Sequence, residues 1–380
     1  MVPSNFYRLI KVFIVLFIYF TIIPIVKSQE VRFAVITDVH SGFLSDVDKR
    51  LKVFIDKAKE ENVDFIIQLG DFTSYMNDEQ SKSFMDIWNS FPGKRYHVVG
   101  NHDLDNSNKS EVKKYLGLNN TYYSFDINKI HFVVMDDNHI KKGDNYIDYE
   151  YGNYFKEDEK NTEYYGNKEL QWFKNDLTKT DLPIVIFSHA GFLARDHSKV
   201  ETIIKNYNDS LKQGGVILSM NGHGHRDVLK FLNKTPYLEV PTASHTWTGE
   251  RAEPFTTVRF IITSINTNEG KIKIKGYSKD VDYQKDLPSH YGKITSYREF
   301  SYIPYRLCAD FTYKINDKTM VFENKSCGEA KDYHWYFGDG EQSVEKNPTH
   351  TYERKGKYSV KLIINNTDSR SIKIDTLNIN

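Results

Sequence analysis

Gly100-Asn101-His102-Asp103 follows directly on the apolar run Tyr96 to Val99. A short apolar run that ends in glycine and polar side chains reads as a buried strand whose end carries chemistry. Four further blocks repeat the arrangement. Asp38-Val39-His40 follows Arg32 to Thr37, Gly70-Asp71 follows Phe65 to Leu69, Ser188-His189 follows Ile184 to Phe187, and Gly222-His223-Gly224-His225 follows Val216 to Met220. Between the strands, Leu51, Phe54, Ile55 and Ala58, then Leu170, Phe173 and Leu177, recur at helical spacing. Strands alternating with amphipathic helices predict an α/β domain, and in such domains the strand ends bring their loops together at one edge of the sheet.

At that edge the blocks offer two carboxylates (Asp38, Asp71), four imidazoles (His40, His189, His223, His225) and one carboxamide (Asn101). Hard oxygen donors mixed with borderline nitrogen donors suit Zn, Mn or Fe. Seven donors exceed what one such ion takes from protein, whereas two ions sharing one carboxylate use them all and keep open positions. Asp-x-His or Gly-Asp alone is weak, since each arises readily by chance. Four fixed residues in Gly-Asn-His-Asp, with the rest in order, make the metal site the stronger reading.

The ordered set D-x-H, G-D, G-N-H-D/E, H and G-H-x-H resembles the signature of the calcineurin-like metallophosphoesterases. The resemblance covers about residues 31 to 280 and implies a two-sheet αββα sandwich. It further implies that Asp38, His40 and His225 hold one metal, that Asn101, His189 and His223 hold the other, and that Asp71 bridges them. His102 is then free for chemistry, and Asp103, next in sequence, is its expected orienting partner. Two divalent ions less two carboxylates and a hydroxide leave about one positive charge for a phosphate ester, which predicts hydrolysis by metal-bound hydroxide. The purple acid phosphatase branch usually shows Asp-x-Gly first and a tyrosine three residues after the bridging aspartate. Those positions are His40 and Ser74 here, with Tyr75 one step too far. The sequence contains no G-x-S-x-G elbow, H-E-x-x-H or Walker loop to suggest other chemistry. Of the remaining histidines, His97, His131, His139, His197 and His290 take the structural reading. His245, in Pro-Thr-Ala-Ser-His-Thr-Trp, is a candidate pocket residue.

Beyond a polar connector at 291–305, the texture changes to period-two alternation with turn glycines. Tyr333-His334-Trp335-Tyr336-Phe337-Gly338-Asp339-Gly340, Asn347-Pro348-Thr349-His350-Thr351-Tyr352 and Gly356-Lys357-Tyr358-Ser359-Val360 resemble the PKD domain, an immunoglobulin-like all-β sandwich. Trp335 is sized for the space between two sheets, Tyr352 for a tyrosine corner, and Asp339 reads as a turn former rather than a calcium ligand. The resemblance implies a spacer, or an adhesive module for protein or glycan surfaces. The expected division is a signal peptide at 1–28, a metallophosphoesterase domain at 29–290, the connector, and a PKD-like sandwich at 306–380.

The 380 residues exceed one typical domain of ~100 to 200, in keeping with two folding units. Lys plus Arg total 51 and Asp plus Glu total 51, so no net positive field gathers nucleic-acid phosphates. Arg8 and Lys11 precede a fifteen-residue apolar run, Val12 to Val26, short of the ~20 that a spanning helix needs. The expectation is cleavage after Ser28, export to the outside or the cell envelope, and no transmembrane span in the mature chain. In an oxidising compartment the only two cysteines, Cys308 and Cys327, are expected to pair. The functional expectation is a secreted dinuclear-metal phosphoesterase acting on phosphate mono- or diesters. The alternative is an inactive scaffold that binds surfaces through the PKD-like module. The loops at 72–79 and 139–161, acidic and tyrosine-rich, are read as exposed, the second as a lid.

Overall fold

The computed structural model describes residues 30–73, 79–210, 215–233, 235–248, 251–254, 257–278, 294–302, 309–326, 330–365 and 370–379. The N-terminal segment, Ser74, Tyr75, His290 and both cysteines of the expected disulfide lie outside the described residues. No helix among those described is long and apolar enough to cross a membrane.

Two six-stranded sheets form the first domain. One runs, edge to edge, Tyr297–Ser301, Lys271–Tyr277, Phe260–Asn266, Glu30–Ile36, Phe65–Gln68, Lys94–His97. The other runs Val228–Leu232, Thr235–Glu239, Val216–Asn221, Ile184–Ser188, Ile130–Val134, Tyr123–Ile127. Glu30–Ile36, Phe65–Gln68 and Lys94–His97 are mutually parallel, as are Ile130–Val134, Ile184–Ser188, Val216–Asn221 and Thr235–Glu239.

Alternation decides which way each strand faces. Phe33, Val35, Phe65 and Ile67 point inward and meet Phe132, Val134, Val185 and Phe187 of the opposite sheet. Ala34, Ile36 and Ile66 point outward under the helices Val47–Glu60 and Glu79–Asn89, where they pack with Leu51, Phe54 and Trp88. Val133, Ile184 and Ile186 do the same on the far side, under Leu170, Phe173 and Ile204 of Asn167–Leu177 and His197–Ser210. Central strands buried on both faces require the unbroken apolar runs the sequence displays. The layering is helix, sheet, sheet, helix, as the family likeness implied.

One boundary is corrected. Residues 297–301, read as connector, form an edge strand antiparallel to Lys271–Tyr277. The sequence Tyr-Arg-Glu-Phe-Ser looks like a linker because an edge strand needs an apolar residue on one face only. Phe300 and Tyr302 supply that face by packing on the inter-sheet core.

The C-terminal unit pairs a three-stranded sheet (Phe311–Asn316, Thr319–Asn324, Thr349–Thr351) with a four-stranded one (Gln342–Ser343, Asp332–Tyr336, Gly356–Asn365, Arg370–Ile379). Trp335 is fully buried between Phe311, Phe322 and Leu362, and its indole N–H donates to the Glu345 carbonyl at 2.9 Å. Buried Tyr352 donates to the Phe337 carbonyl at 2.9 Å, the tie expected of a tyrosine corner. Asp339 accepts from the Glu341 N–H and bonds His350, a turn former's pattern.

The structural histidines find partners. His97 lies 3.2 Å from the Gln68 amide, and His131 sits between Asp126 at 2.6 Å and Asp176 at 3.0 Å. Burial works against charge on His131, but Asp176 and Asp126 outweigh it and raise its pKa. Because the folded-state value lies above the unfolded one, this contribution is complete below about pH 6.5 and is lost as pH rises through the raised value. His131→Gln is therefore expected to lower the thermal midpoint clearly at pH 6 and much less at pH 9. Equal losses at both pH values would show that the charged form contributes nothing.

Candidate metal centre

All five blocks leave the C-terminal ends of parallel strands, where the chain must turn at once. Asp38, His40, Asp71, His223 and His225 have φ values of 50°, 51°, 52°, 64° and 60°, in the left-handed region that non-glycine residues seldom enter. Such strain persists only where surrounding contacts fix it. Asp103 is one source of those contacts. Its carboxylate accepts from the N–H groups of Gly100 (2.8 Å), Asp71 (3.1 Å), Phe72 (2.9 Å) and Thr73 (2.9 Å). Gly100 must be glycine, since a Cβ there would lie 2.2 Å from the Asp71 nitrogen.

Asp103 therefore stitches two ligand loops together and does not orient His102, which corrects the expectation drawn from sequence adjacency. The carboxylate that meets His102 Nδ1, at 2.8 Å, belongs to Asp105. A short 3-10 turn, His102–Leu104, separates the two acids onto different sides of the chain. Burial opposes charge on His102, but Asp71 and Asp105 outweigh it and carry its pKa up to about 9.

The donors gather in two groups. Asp38, His40 and His225 place ligand atoms within 4.8 Å of one another, and so do Asp71, His189 and His223. Asn101 joins the second group, its Oδ1 lying 3.0 Å from His189 Nε2 and 3.1 Å from His223 Nδ1. Asp71 Oδ2 stands between the groups, 3.2 Å from His189 Nε2 and 4.0 Å from His40 Nε2. In the first group His225 Nε2 lies 3.2 Å from Asp38 Oδ1 and 3.4 Å from His40 Nε2.

Proton positions test whether metal ions fit. His189 Nδ1 lies 2.8 Å from the Leu69 carbonyl, which only accepts, so Nδ1 carries the hydrogen and Nε2 turns a lone pair inward. His223 Nε2 lies 3.0 Å from Glu163 Oε1, which leaves His223 Nδ1 as the inward lone pair. Asn101 donates its amide N–H toward Tyr154 at 3.4 Å and so aims its oxygen inward. With both imidazoles neutral, four acceptors converge with no hydrogen among them, an arrangement that suits a cation.

In the ion-free chain protons take the place of that positive charge. Burial opposes ionisation of Asp71, but His189 and His102 outweigh it and hold its pKa well below the usual range. Burial likewise opposes charge on His189, but Asp71 and Asp38 raise it well above an ordinary imidazole. The carboxylates hold their charge and call for positive partners, which protons or divalent ions can supply.

Three contributors were not legible in the sequence. Glu163, Tyr154 and Asp105 support His223, Asn101 and His102, and no motif marks them. Tyr154 also donates to Asp105. One of them, Tyr154, comes from the stretch at 139–161 read as an exposed lid, and Glu163 lies just past its end. It is a folded wall instead: a hairpin (His139–Lys142, Asn145–Asp148) followed by two 3-10 turns, with Tyr149, Tyr154 and Tyr165 buried. Tyr151 stays exposed, and Lys109, bonded to Asp136 at 2.7 Å and Asp148 at 2.8 Å, pins the hairpin to the body. His245 does reach the site, its ring 4.9 Å from that of His40 and 5.4 Å from that of His225.

Comparison with known proteins gives matches for both units. The calcineurin-like phosphoesterase family matches residues 31–227, and the PKD domain family matches residues 315–380. Among solved structures, a dimetal phosphatase from Danio rerio is 16% identical, with a TM-score of 0.49 over 65% of this chain and 95% of its own. The PKD1 domain of the Vibrio cholerae metalloprotease PrtV is 28% identical, with a TM-score of 0.19 over 20% of this chain and 98% of that domain. Collagenase ColA of Clostridium perfringens (strain 13 / Type A) is 47% identical over 53 residues, which is 12% of this chain and 5% of the collagenase. The chain thus spans only a small part of the length of such curated relatives. It belongs to the calcineurin-like phosphoesterase family, a family that binds divalent metals, and carries a PKD domain at its C-terminal end.

Proposed function

We propose that the chain is a secreted dinuclear-metal hydrolase of phosphate mono- or diesters. The observation that carries this reading is the convergence of ligand atoms from Asp71, Asn101, His189 and His223 beside a second group of three donors. In this reading Asp38, His40 and His225 hold one ion, Asn101, His189 and His223 the other, and Asp71 both. Mn, Fe and Zn suit that donor set. Such a pair, when bound, lowers the pKa of water toward neutrality and neutralises charge on a phosphoryl group.

The chain's own residues do the rest. Leu69 and Glu163 fix the imidazole tautomers, so the ligand atoms need not reorganise. His102 has Nδ1 committed to Asp105, which leaves Nε2 to give a proton to the departing alkoxide. The PKD domain serves as a spacer or holds the enzyme against a protein or glycan surface, in keeping with its likeness to segments of extracellular-type proteases named above. Cleavage of the N-terminal segment and a Cys308–Cys327 disulfide belong to the same reading.

Three outcomes are expected. Asp71→Asn releases metal, and full occupancy of that variant by elemental analysis would contradict the bridging role. His102→Ala lowers turnover of an ester with a poor leaving group by ~100-fold while both ions stay bound. Unchanged rates with that ester would remove His102 from the role. Glu163→Gln weakens metal affinity by ~10-fold in a chelator titration, the usual cost of losing such an outer partner, and wild-type affinity would reduce the Glu163 contact to packing.

A further inference from the structure

Five rings stand in a row across the metal centre. Phe43 stacks on His245 at 4.6 Å, His245 lies 4.9 Å from His40, His40 lies 5.3 Å from His102, and His102 lies 6.0 Å from Phe155. Both ends of the row are phenylalanines open to solvent, Phe43 at 50% and Phe155 at 65% exposure. Phe155 is the more exposed and sits beside the residue assigned to protonate the leaving group. A phenylalanine left this open contributes little to the core, so packing does not account for it.

Its position is fixed all the same. The 3-10 turn Asn153–Lys156 carries Tyr154 inward to Asp105 and Phe155 outward beside His102. Two backbone bonds lock the approach to this turn onto the loop that bears His102: Tyr151 N–H to the Ser107 carbonyl at 2.9 Å and Gly152 N–H to the Leu104 carbonyl at 3.0 Å. Gly152 has φ of +63°, and a Cβ there would come within 3.2 Å of the Phe155 ring and 3.3 Å of the Asp105 carbonyl. Acid and ring are thereby held in register. A group attached to the oxygen that His102 protonates must extend away from the ligand cluster, and on that side it meets Phe155.

The geometry points to a leaving-group subsite at Phe155 that selects phosphate esters whose alcohol carries a flat ring, of nucleoside or aryl type. Open aromatic faces bind flat rings by offset stacking and offer nothing specific to a small polyol. The inference rests on the hydrolase reading above and narrows its substrate class.

The test uses pairs of esters matched in leaving-group alcohol: adenosine 5′-monophosphate against ribose 5-phosphate, and benzyl phosphate against ethyl phosphate. Wild-type kcat/KM is expected to favour the ring-bearing member of at least one pair, the first pair marking a nucleoside subsite and the second an aryl one. Phe155→Ala lowers that preference by about fivefold or more, the low end of what losing one base-stacking aromatic costs, and leaves the ring-free rates unchanged. Phe155→Trp retains the preference. Independently of turnover, saturation-transfer NMR on the metal-stripped protein should reach the ring protons of adenosine or benzyl alcohol in the wild type and not in Phe155→Ala. An unaltered preference in Phe155→Ala, or ring saturation that survives the substitution, overturns the subsite while leaving the hydrolase reading intact. Absence of turnover for all four esters and for p-nitrophenyl phosphate and its bis ester would sink both.

Discussion

Asp71 Oδ2, His189 Nε2, Asn101 Oδ1 and His223 Nδ1 crowd together at one site, and with both imidazoles neutral they have no hydrogen to share. In water such atoms would each find a donor. Brought together here, they are satisfied only by positive charge, supplied by protons or by a cation. The surroundings deny the cluster every cheap escape. His189 cannot flip its tautomer without abandoning the Leu69 carbonyl, His223 is tied to Glu163, and Asn101 is oriented by Tyr154. These outer ties orient the ligand atoms, which is what preorganised coordination of a cation requires.

That rigidity has a backbone origin. Five of the candidate ligands occupy left-handed φ values, at a cost on the order of 1 kcal/mol or more apiece. The inter-sheet core supplies the offset: Phe33, Phe65, Phe132 and Phe187 lock both sheets face to face just below the ligand loops. Asp103 transmits that order upward by holding four N–H groups of two loops at once. Burial and the neighbouring Asp71 push its pKa up to about 7, while the four donors favour the charged form. Above that value the bonds become charge-assisted and the stitch stiffens.

The readable part of the fold was the part governed by period and punctuation. Parallel strands buried on two faces announce themselves as apolar runs, and their ends announce themselves by glycine beside an acid or histidine, so Asp38, His40, Asp71, Asn101, His189, His223 and His225 could all be placed. Edge strands lack that signal, which is why 297–301 resembled a linker. The orientation of His102 was unreadable for a different reason. Asp103 and Asp105 are equally close in sequence, and only the 3-10 turn decides which carboxylate meets the imidazole. Glu163 and Tyr154 sit 60 and 53 positions from the ligands they support, and contacts of that span leave no local pattern.

The wall at 139–166 attaches to the site at two points that belong to different halves of the chemistry. Glu163 grips His223, a proposed metal ligand, whereas Tyr154 grips Asp105 and through it His102. Between these points Lys109 pins the hairpin through the buried Asp136 and the half-exposed Asp148. A segment fastened this way cannot swing open as a lid without releasing an outer partner of one metal group and the orienting acid of His102 together. The same rigidity explains why an exposed ring can be placed on it usefully. Phe155 is next in chain to Tyr154, so the contacts that hold Asp105 against His102 also hold the aromatic face of the proposed leaving-group subsite. Variation within the wall can therefore retune the leaving-group side while the strand ends keep the ligands, a separation of duties that follows from where each residue is anchored.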